Sequence, residues 1–331
     1  MAARAAIILA GGSGERFWPA STPSMPKQLL NLNNPEKSLL QESVERSSAL
    51  VGRDHTFIAT GPRVADAIRA ANLVDPDNVL VEPSPRNTLP AICFAQAQLI
   101  SRGFKGDTVV TILTADHAIS PTERFQETLE QCIAEADSSG NLVLIGIRPT
   151  RPDTGFGYIE ASDVRFGVAA FHEKPTLERA AEFLARGNFF WNSGMFVWRL
   201  DAFDRELRQA SACESAIYGR MATEPEAFTE LERVSVDKGL MEKSSRISTI
   251  PAAFDWDDLG SWDSLDRTRR SQDGNVTEGD VKAIDSSGCI LVSKTDQKIG
   301  VIGLEGVVVV ATEHGVLVCP KDRVQQVREL L

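Results

Sequence analysis

Several features that mark common functional classes are missing from this chain of 331 residues. A basic excess is absent, because 35 Lys and Arg residues stand against 46 Asp and Glu residues and the formal net charge is −11. The five cysteines form no Cys-x-x-Cys pair, and the four histidines form no His-x-x-x-His pair. We therefore expect no nucleic-acid partner, no disulfide framework and no zinc site.

A long apolar segment is also absent. The N-terminal residues 1–4 run directly into a short apolar stretch, which predicts no signal peptide, no membrane partner and a cytoplasmic location. With 42% hydrophobic and 24% charged residues, the composition is typical of a globular protein. The length suits one large α/β domain plus a smaller one.

Strand-like and helix-like segments alternate through the first half of the chain. This alternation predicts an α/β fold with a Rossmann-like mixed, mostly parallel sheet and helices on both faces. The predicted strands lie at residues 5–10, 56–60, 79–81, 108–113 and 142–147, and the predicted helices at 38–50, 63–72, 89–102 and 121–136. Ligands of such sheets bind at the carboxyl ends of the strands.

A polar run at residues 271–275 indicates a domain boundary. We predict a large domain over residues 1–270 and a small β domain over residues 276–331, which ends in a helix. The predicted apolar face of that helix is formed by Val324, Val327, Leu330 and Leu331. So small a β module buries little by itself, and we expect it to pack on the first domain or on another subunit.

The most informative segment is the glycine-rich stretch that follows the first predicted strand. Gly11, Gly12 and Gly14 let the backbone turn tightly and bring its N–H groups close to a ligand. Arg16 and Lys27 add positive charge suited to phosphate oxygens. The combination predicts a site for a nucleoside polyphosphate, and a plain tight turn is the alternative interpretation.

Two well-known phosphate loops do not match this segment. A P-loop needs Gly-Lys-Ser/Thr where Glu15 and Arg16 stand, and a dinucleotide fingerprint needs a small residue where Phe17 stands, which also disfavours a nicotinamide oxidoreductase. With Lys27 placed after a proline-rich stretch, the segment resembles the signature of the sugar-phosphate nucleotidylyltransferases. In that family the arginine and lysine hold the triphosphate. The resemblance implies a nucleotide-binding loop of Gly11, Gly12, Ser13 and Gly14.

Two acidic motifs lie far apart in the sequence. Asp116 follows a predicted strand, where a carboxylate suits a hard divalent cation, although a turn or cap residue is the alternative. Asp257 and Asp258 stand just before a predicted helix, and the alternative there is a helix cap. The family resemblance implies that Asp116 and Asp258 share the catalytic Mg²⁺.

Four further motifs resemble the bacterial mannose-1-phosphate guanylyltransferases, and they occur in that family's order at residues 82–91, 155–159, 171–175 and 191–196. On physical grounds alone, the first is as well explained by a helix start capped by Asn87 or Thr88. The resemblance implies nucleotide contacts from Glu82, Pro85, Asn87 and Thr88. It implies contacts to mannose hydroxyls from Gly157, Glu173 and Asn192, and to the sugar phosphate from Lys174.

The resemblance covers essentially the whole chain. It implies an enzyme that transfers GMP from GTP to α-D-mannose 1-phosphate with Mg²⁺, and in which Arg16 and Lys27 are catalytic. It also implies that the C-terminal segment is a short left-handed β-helix that takes part in a homodimer. Because the chain ends at residue 331, we do not expect the isomerase domain of some longer relatives.

Two alternatives remain open at this point. The sugar substrate could instead be another sugar 1-phosphate, such as a glucose or heptose derivative, since few substitutions change a pocket. The chain could also be a noncatalytic sugar-nucleotide sensor, because a fold does not guarantee activity. The presence of Arg16, Lys27, Asp116 and Asp258 speaks against the sensor.

Overall fold

The computed structural model describes residues 2–12, 14–269 and 274–331. Their contacts define two compact units. Unit 1 consists of the described residues of Met1–Gly11, Ser43–Thr114 and Ile119–Asp255; unit 2 consists of those of Gly12–Glu42, Ala115–Ala118 and Trp256–Leu331. The predicted boundary at residues 271–275 lies partly outside the described residues and stays a prediction.

The strands are β1 (Arg4–Leu9), β2 (Thr56–Thr60), β3 (Val79–Val81), β4 (Val109–Thr114), β5 (Ala118–Ser120), β6 (Leu142–Ile147), β7 (Tyr158–Ala161), β8 (Val168–His172), β9 (Phe189–Arg199), β10 (Ile247–Pro251), β11 (Asp255–Asp257), β12 (Val276–Glu278), β13 (Val281–Ile284), β14 (Ile290–Ser293), β15 (Ile299–Ile302), β16 (Val307–Thr312) and β17 (Gly315–Pro320).

The α-helices are α1 (Leu39–Val51), α2 (Ala65–Ala70), α3 (Thr88–Ser101), α4 (Thr122–Ser139), α5 (Leu177–Arg186), α6 (Leu200–Ala210), α7 (Ala212–Arg220) and α8 (Leu265–Thr268). Shorter 3₁₀ segments include Glu15–Phe17, Lys27–Leu29 and Trp262–Ser264, a π-helical turn covers Asp237–Met241, and a 3₁₀ helix covers Lys321–Leu330. Among the described residues, no helix has the length and apolar character needed to cross a membrane.

A nine-stranded sheet forms the centre of unit 1, with the order β10-β6-β9-β4-β1-β2-β3 and the hairpin β7-β8 joined to β9. β1 pairs in parallel with β2 and β4, and β10 pairs in parallel with β6. Only β9 runs antiparallel to its neighbours β4 and β6 within that seven-strand order. The predicted mixed, mostly parallel sheet is therefore confirmed.

Both faces of this sheet are covered. Ala5 and Ile7 of β1 belong to a buried core that also contains apolar side chains of α3, α6 and α7. Ala6 and Ile8 alternate with them and are fully buried on the opposite face. Because α4 packs against β4, β6 and β9 with buried side chains outside that core, it covers the opposite face. Helices on both faces are thus confirmed.

Unit 2 contains the C-terminal β module. β12, β14 and β16 are successive parallel strands, β17 is antiparallel to β16, and β13 pairs in parallel with β15. Register places Val276 beside Ile290, and Ile290 beside Val308, so that their buried side chains stack in one core. Phe17 and Trp262 belong to the same core. The small module is therefore packed within a unit that also contains the glycine-rich loop.

The C-terminal helix differs in part from its prediction. Val324 and Val327 are buried as expected, but Leu330 and Leu331 are 63% and 67% exposed. The assignment of those two leucines to the apolar face is wrong, because the core that covers Val324 and Val327 does not extend to the last turn.

Candidate active site

A cavity of about 390 Å³ lies in unit 2 and gathers charged side chains from four separate parts of the sequence. We call it the charged cavity. The loop after β1, the turn after β4, the turn after β11 and the C-terminal helix supply its walls. Its lining includes Gly12, Gly14, Arg16, Lys27, Asp116, His117, Asp258, Gly260 and Arg328. The structure thus brings together the arginine, the lysine and both carboxylates that the sequence analysis singled out.

Lys27 occupies a buried position, with 6% of its surface exposed. Its Nζ donates to Asp116 Oδ2 at 2.8 Å and to the carbonyl oxygen of Asp258 at 2.8 Å. The same ammonium lies 5.7 Å from the centre of the Phe17 ring. A buried charge is tolerated when it is paired and hydrogen-bonded, and these contacts fix the ammonium at one point in the cavity.

The position of Lys27 explains one glycine of the loop. Gly14 has φ of +68°, and a Cβ atom there would lie 2.2 Å from Lys27 Cβ. Added Cβ atoms at Gly11 and Gly12 would meet nothing within 4 Å. Packing therefore demands glycine at position 14, whereas Gly11 and Gly12 leave open space beside the backbone. Ser13 lies outside the described residues.

Asp116 is held in its ionised form. Burial raises its pKa, but the Lys27 ammonium, the neighbouring His117 and the hydrogen bond from Lys27 outweigh burial and keep the pKa below its ordinary value. Trp256 Nε1 donates to His117 Nδ1 at 3.0 Å, which leaves the histidine proton on Nε2, 3.9 Å from Asp116 Oδ1. Lys27 and His117 therefore both favour a carboxylate at position 116.

The two neighbouring carboxylates Asp257 and Asp258 have different environments. Asp257 accepts two hydrogen bonds from Arg267, at 2.5 and 3.1 Å, and another from the backbone N–H of Leu259. Asp257 is thus the structural residue of the turn. Asp258 instead lines the charged cavity, where burial, together with the charge of Asp257, raises its pKa to about 6.

Arg16 lies at the exposed side of the charged cavity. Its Nη1 donates to the carbonyl oxygen of Gly260 at 3.1 Å, which leaves most of its donors for a ligand. Arginine suits phosphate because its planar donors match two oxygens at once. This contact joins the loop to the turn that follows β11 and places the guanidinium at the cavity.

Asp116 and Asp258 provide the donor chemistry that Mg²⁺ prefers. This ion is usually held by one or two carboxylates, and substrate phosphates and water complete its shell. Among the described residues, no group of three or more His, Cys, Asp and Glu side chains is arranged to hold a metal, so a cage made of protein ligands alone is not formed there. The pair fits a cation that arrives with a phosphate ligand.

In unit 1, the loop after β3 presents a carboxylate of a different kind. Glu82 is only 8% exposed, and its Oε2 has no hydrogen-bond partner among the described residues. Burial raises its pKa to about 7. A buried acceptor without a donor is costly, and such an atom is suited to receive N–H groups from a ligand.

The remaining residues of that loop serve the start of α3. Asn87 is its N-cap, and its side chain accepts from the backbone N–H of Thr88 at 2.8 Å. Thr88 Oγ1 accepts from the backbone N–H of Val236 at 2.9 Å. The interpretation of a capped helix start is therefore confirmed for Asn87. Pro85 is exposed, and nucleotide contacts of Pro85, Asn87 and Thr88 stay predictions.

The predicted sugar-binding residues also form one group in unit 1. The backbone N–H of Asn192 donates to the carbonyl oxygen of Gly157 at 2.8 Å. A Cβ atom on Gly157 would lie 2.8 Å from Glu173 Oε2 and 2.9 Å from Phe171 Cζ, so that a larger residue there would displace these side chains. Lys174 Nζ lies 3.2 Å from Glu173 Oε1, and 63% of the Lys174 side chain is exposed. Hydrogen-bond acceptors thus cluster beside one exposed cation.

Asp237 joins this group, although sequence analysis gave it no role. Asn192 Nδ2 donates to Asp237 Oδ1 at 2.8 Å, while Asn192 Oδ1 accepts from the backbone N–H of Gly194 at 3.1 Å. The two contacts fix the orientation of the Asn192 amide. Burial, together with the charge of Glu173, raises the pKa of Asp237 to about 6. No motif pointed to Asp237, which lies 45 residues after Asn192 in the chain.

Family comparisons agree with this geometry. The nucleotidyl transferase profile matches residues 5–272, and that of the MannoseP isomerase/GMP-like beta-helix domain matches residues 279–331. The chain therefore belongs to the nucleotidyl transferase family, and the prediction that it is an enzyme of this class is confirmed. The match at residues 279–331 also confirms a β-helix-like C-terminal module.

Similarity to particular relatives extends over nearly the whole chain. The mannose-1-phosphate guanylyltransferase of Klebsiella pneumoniae is 34% identical over 98% of this chain and 72% of its own length. The alginate biosynthesis protein AlgA of Pseudomonas aeruginosa is 37% identical over 98% of this chain and 71% of its own.

A solved structure from Thermus thermophilus, described as a mannose-1-phosphate geranyltransferase, superposes with a TM-score of 0.89. It is 30% identical and matches 99% of this chain and 98% of its own. Together with the curated relatives, it confirms the resemblance to the bacterial mannose-1-phosphate guanylyltransferases.

Proposed function

We propose that this chain transfers GMP from GTP to α-D-mannose 1-phosphate and releases pyrophosphate. The observation that carries the proposal is the buried Lys27 ammonium, held by Asp116 and by the Asp258 carbonyl in a cavity that also contains Arg16. The named activity of the Klebsiella pneumoniae relative supports the choice of guanine and mannose. In the proposed reaction a sugar-phosphate oxygen attacks the α-phosphorus of GTP, and the bond to the β-phosphate oxygen breaks.

Charge and position, without a general base, account for the rate in this proposal. The sugar phosphate is already an oxygen anion at neutral pH, so that no proton has to be removed from the nucleophile. Arg16 and Lys27 hold the triphosphate, and Lys27 opposes the negative charge that grows on the leaving pyrophosphate. Because Asp116 fixes the Lys27 ammonium, this charge is in place before the reaction begins.

Asp116 and Asp258 are the residues that would hold Mg²⁺. When bound, this cation offsets negative charge on the phosphate oxygens. The low pKa of Asp116 keeps one carboxylate ionised, and a pKa of about 6 leaves Asp258 mostly ionised at pH 7. His117 and Lys27 have positioning roles toward Asp116.

Glu82 is the proposed reader of the base. Guanine offers an N1–H and a 2-amino group, and both can donate to a carboxylate. Adenine has neither an N1–H nor a 2-amino group, so that Glu82, whose Oε2 has no partner among the described residues, would lose both of these donors. A mismatch of this kind discriminates strongly between bases, because the buried carboxylate loses the hydrogen bonds that offset the cost of its burial.

Mannose recognition is assigned to Glu173, Asn192 and the Gly157 backbone, and Lys174 is assigned to the sugar phosphate. Asp237 is a positioning residue in this proposal, because it holds the Asn192 amide. Mannose and glucose differ in the orientation of one hydroxyl, so we expect weaker discrimination between sugars than between bases. A homodimer, formed with help from the C-terminal module, and a cytoplasmic location are also part of the proposal.

The experiment is a pyrophosphate-release assay with Mg²⁺, run with GTP, ATP, UTP and dTTP against mannose, glucose and heptose 1-phosphates. We expect GTP with mannose 1-phosphate to give the highest kcat/KM, with GTP favoured over ATP by a wide margin. Mass spectrometry of the product should show GDP-mannose.

A clear preference for another base would contradict the guanylyl assignment, and a preference for another sugar would contradict the mannose assignment. Binding of GDP-mannose without any turnover would instead support the noncatalytic sensor.

A further inference from the structure

The charged cavity contains one cation that neither the sequence analysis nor the comparisons assign. Arg328 lines it together with Arg16 and Lys27, and Arg328 lies in the C-terminal helix Lys321–Leu330. Lys27 is already paired with Asp116, and Arg16 bonds to the Gly260 carbonyl. The guanidinium of Arg328 is exposed and has no hydrogen bond or ion pair to any other residue that the structure describes.

The C-terminal helix is anchored so that Arg328 has a defined place. Val324 and Val327 are 2% and 3% exposed and belong to the core that contains Phe17 and Trp262. Gln325 Nε2 donates to Ser261 Oγ at 2.8 Å.

Ser261 directly follows Gly260, which lines the charged cavity. Gln325 and Arg328 are three residues apart, and side chains at that spacing lie on one face of a 3₁₀ helix. The face that carries Arg328 is therefore the face held against the cavity wall.

The unused donors of Arg328 favour an anion at this point of the charged cavity. Glu15, Asp116 and Asp258 also line the cavity, but Asp116 is paired with Lys27, and no residue that the structure describes pairs with Arg328. A nucleoside triphosphate brings several negative charges, which Arg328 would share with Arg16 and Lys27. A second guanidinium with unused donors fits two phosphate oxygens in the bidentate manner.

We propose that Arg328 is a further phosphate-binding residue that contacts the terminal phosphates of a nucleoside triphosphate, and so the leaving pyrophosphate. This inference rests on the proposed function for the identity of the nucleotide. It gives the C-terminal β module a direct part in the site, because the module's last helix supplies a substrate contact. Residues 321–330 then act in nucleotide binding as well as in packing.

The test is calorimetric titration of the full chain with inorganic pyrophosphate, GTP and GMP at fixed Mg²⁺. The variants are Arg328→Ala and Arg328→Lys, and Arg323→Ala is the control. Arg323 lies on the same helix, is exposed and bonds to Gln326. We expect Arg328→Ala to weaken pyrophosphate and GTP binding by about tenfold or more, which is the scale of one charged hydrogen-bonded contact. GMP binding and the melting temperature should not change.

Arg328→Lys should recover part of the affinity, and Arg323→Ala should bind as the wild type does. Equal pyrophosphate affinity in wild type and Arg328→Ala would overturn the inference, as would a wild type that binds no pyrophosphate. Pyrophosphate binding needs neither base, sugar nor turnover. A wild type that makes no GDP-mannose, while Arg328→Ala still loses pyrophosphate affinity, would contradict the proposed function and leave the role of Arg328 in place.

Discussion

Asp116 in unit 2 and two buried carboxylates of unit 1 have pKa shifts of opposite sign, and Asp258 of unit 2 shares the upward shift. In the charged cavity of unit 2, Asp116 is paired with Lys27 at 2.8 Å, and its pKa is lowered. In unit 1, burial raises the pKa of Glu82 to about 7 and that of Asp237 to about 6. Glu82 has an oxygen without a partner among the described residues, and Asp237 lies near the like charge of Glu173.

This difference indicates two kinds of ligand group. A cavity whose cations are fixed in advance is suited to phosphate, which brings its own negative charge. A buried carboxylate with a raised pKa that lies outside the charged cavity, such as Glu82, is suited to neutral donors, which satisfy the acceptor without another charge. Under the proposed function, the triphosphate is met by cations of unit 2, whereas Lys174 of unit 1 meets the sugar phosphate and Glu82 and Glu173 of unit 1 meet neutral donors.

The largest expected effect comes from the cavity carboxylates. Asp116→Asn and Asp258→Asn should each lower kcat by about 10²-fold or more, because an amide cannot supply the anionic oxygen that a hard cation prefers. Pyrophosphate release at several Mg²⁺ concentrations measures this loss. Asp266→Asn is the matched control, since Asp266 pairs with Lys321 and does not line the cavity. Full turnover by either cavity variant would remove the assignment of these carboxylates as metal ligands.

The second-largest expected effect comes from removal of the buried Lys27 ammonium. Lys27→Ala should lower kcat/KM by roughly 10²-fold, because the charge acts more strongly on the transition state than on bound GTP. Steady-state kinetics and GTP titration separate the two contributions. If GTP binding weakens while kcat is unchanged, Lys27 is only a binding residue, and the claim that it stabilises the transition state is wrong.

A methyl group added at Gly14 should disturb Lys27 less than the removal of its ammonium does. Gly14→Ala places a methyl group against Lys27 Cβ at a φ of +68°, so that the lysine must move. We expect about 1–2 kcal/mol of lost stability together with reduced activity. Gly12→Ala is the control for folding, because its added methyl group meets nothing within 4 Å. Denaturant unfolding of both variants should show a loss at position 14 alone.

The smallest effect is the pH dependence caused by Glu82. Its pKa rises from 4.5 to about 7 on folding, so the native chain binds the proton more tightly than the unfolded chain does between these values. The stability that this group contributes is therefore present at low pH and is lost as pH rises through about 7.

Glu82→Gln lacks this dependence. We expect the wild type to lose on the order of 1 kcal/mol relative to the variant between pH 5 and pH 8, measured by urea unfolding. The exposed Glu226, changed to Gln, is the control. An equal difference between wild type and Glu82→Gln at both pH values would show that Glu82 is not buried as described.

Parts of the central sheet and of the charged cavity could be predicted from the sequence, and other parts could not. β2, β3 and β6 have the predicted bounds, because each is a short apolar run between polar residues. The loop glycines, Arg16 and Lys27 were recognisable because strand ends and glycine turns leave local signals. The antiparallel β9 was not predicted, because Asn192, Ser193 and Gly194 interrupt its apolar residues and leave no clear period.

Choices that depend on distant partners were not predictable from the sequence. The family resemblance selected Asp258, but the residues alone did not distinguish it from Asp257, whose structural role depends on Arg267, ten residues later. Asp237 becomes important through Asn192, and Arg328 through its place in the cavity lining. Each of these contacts joins residues whose spacing in the sequence matches no recognisable motif.

The most direct test of the comparison is the ratio of kcat/KM for mannose 1-phosphate to that for glucose 1-phosphate, measured for wild type, Lys27→Ala and Glu173→Gln. If Lys27 of unit 2 acts on the triphosphate and Glu173 of unit 1 acts on the sugar hydroxyls, Lys27→Ala should lower both values by the same factor and leave the ratio unchanged. Glu173→Gln should change the ratio by several-fold, on the scale of one hydrogen bond. A ratio that changes in Lys27→Ala, or that stays constant in Glu173→Gln, would contradict this division of roles.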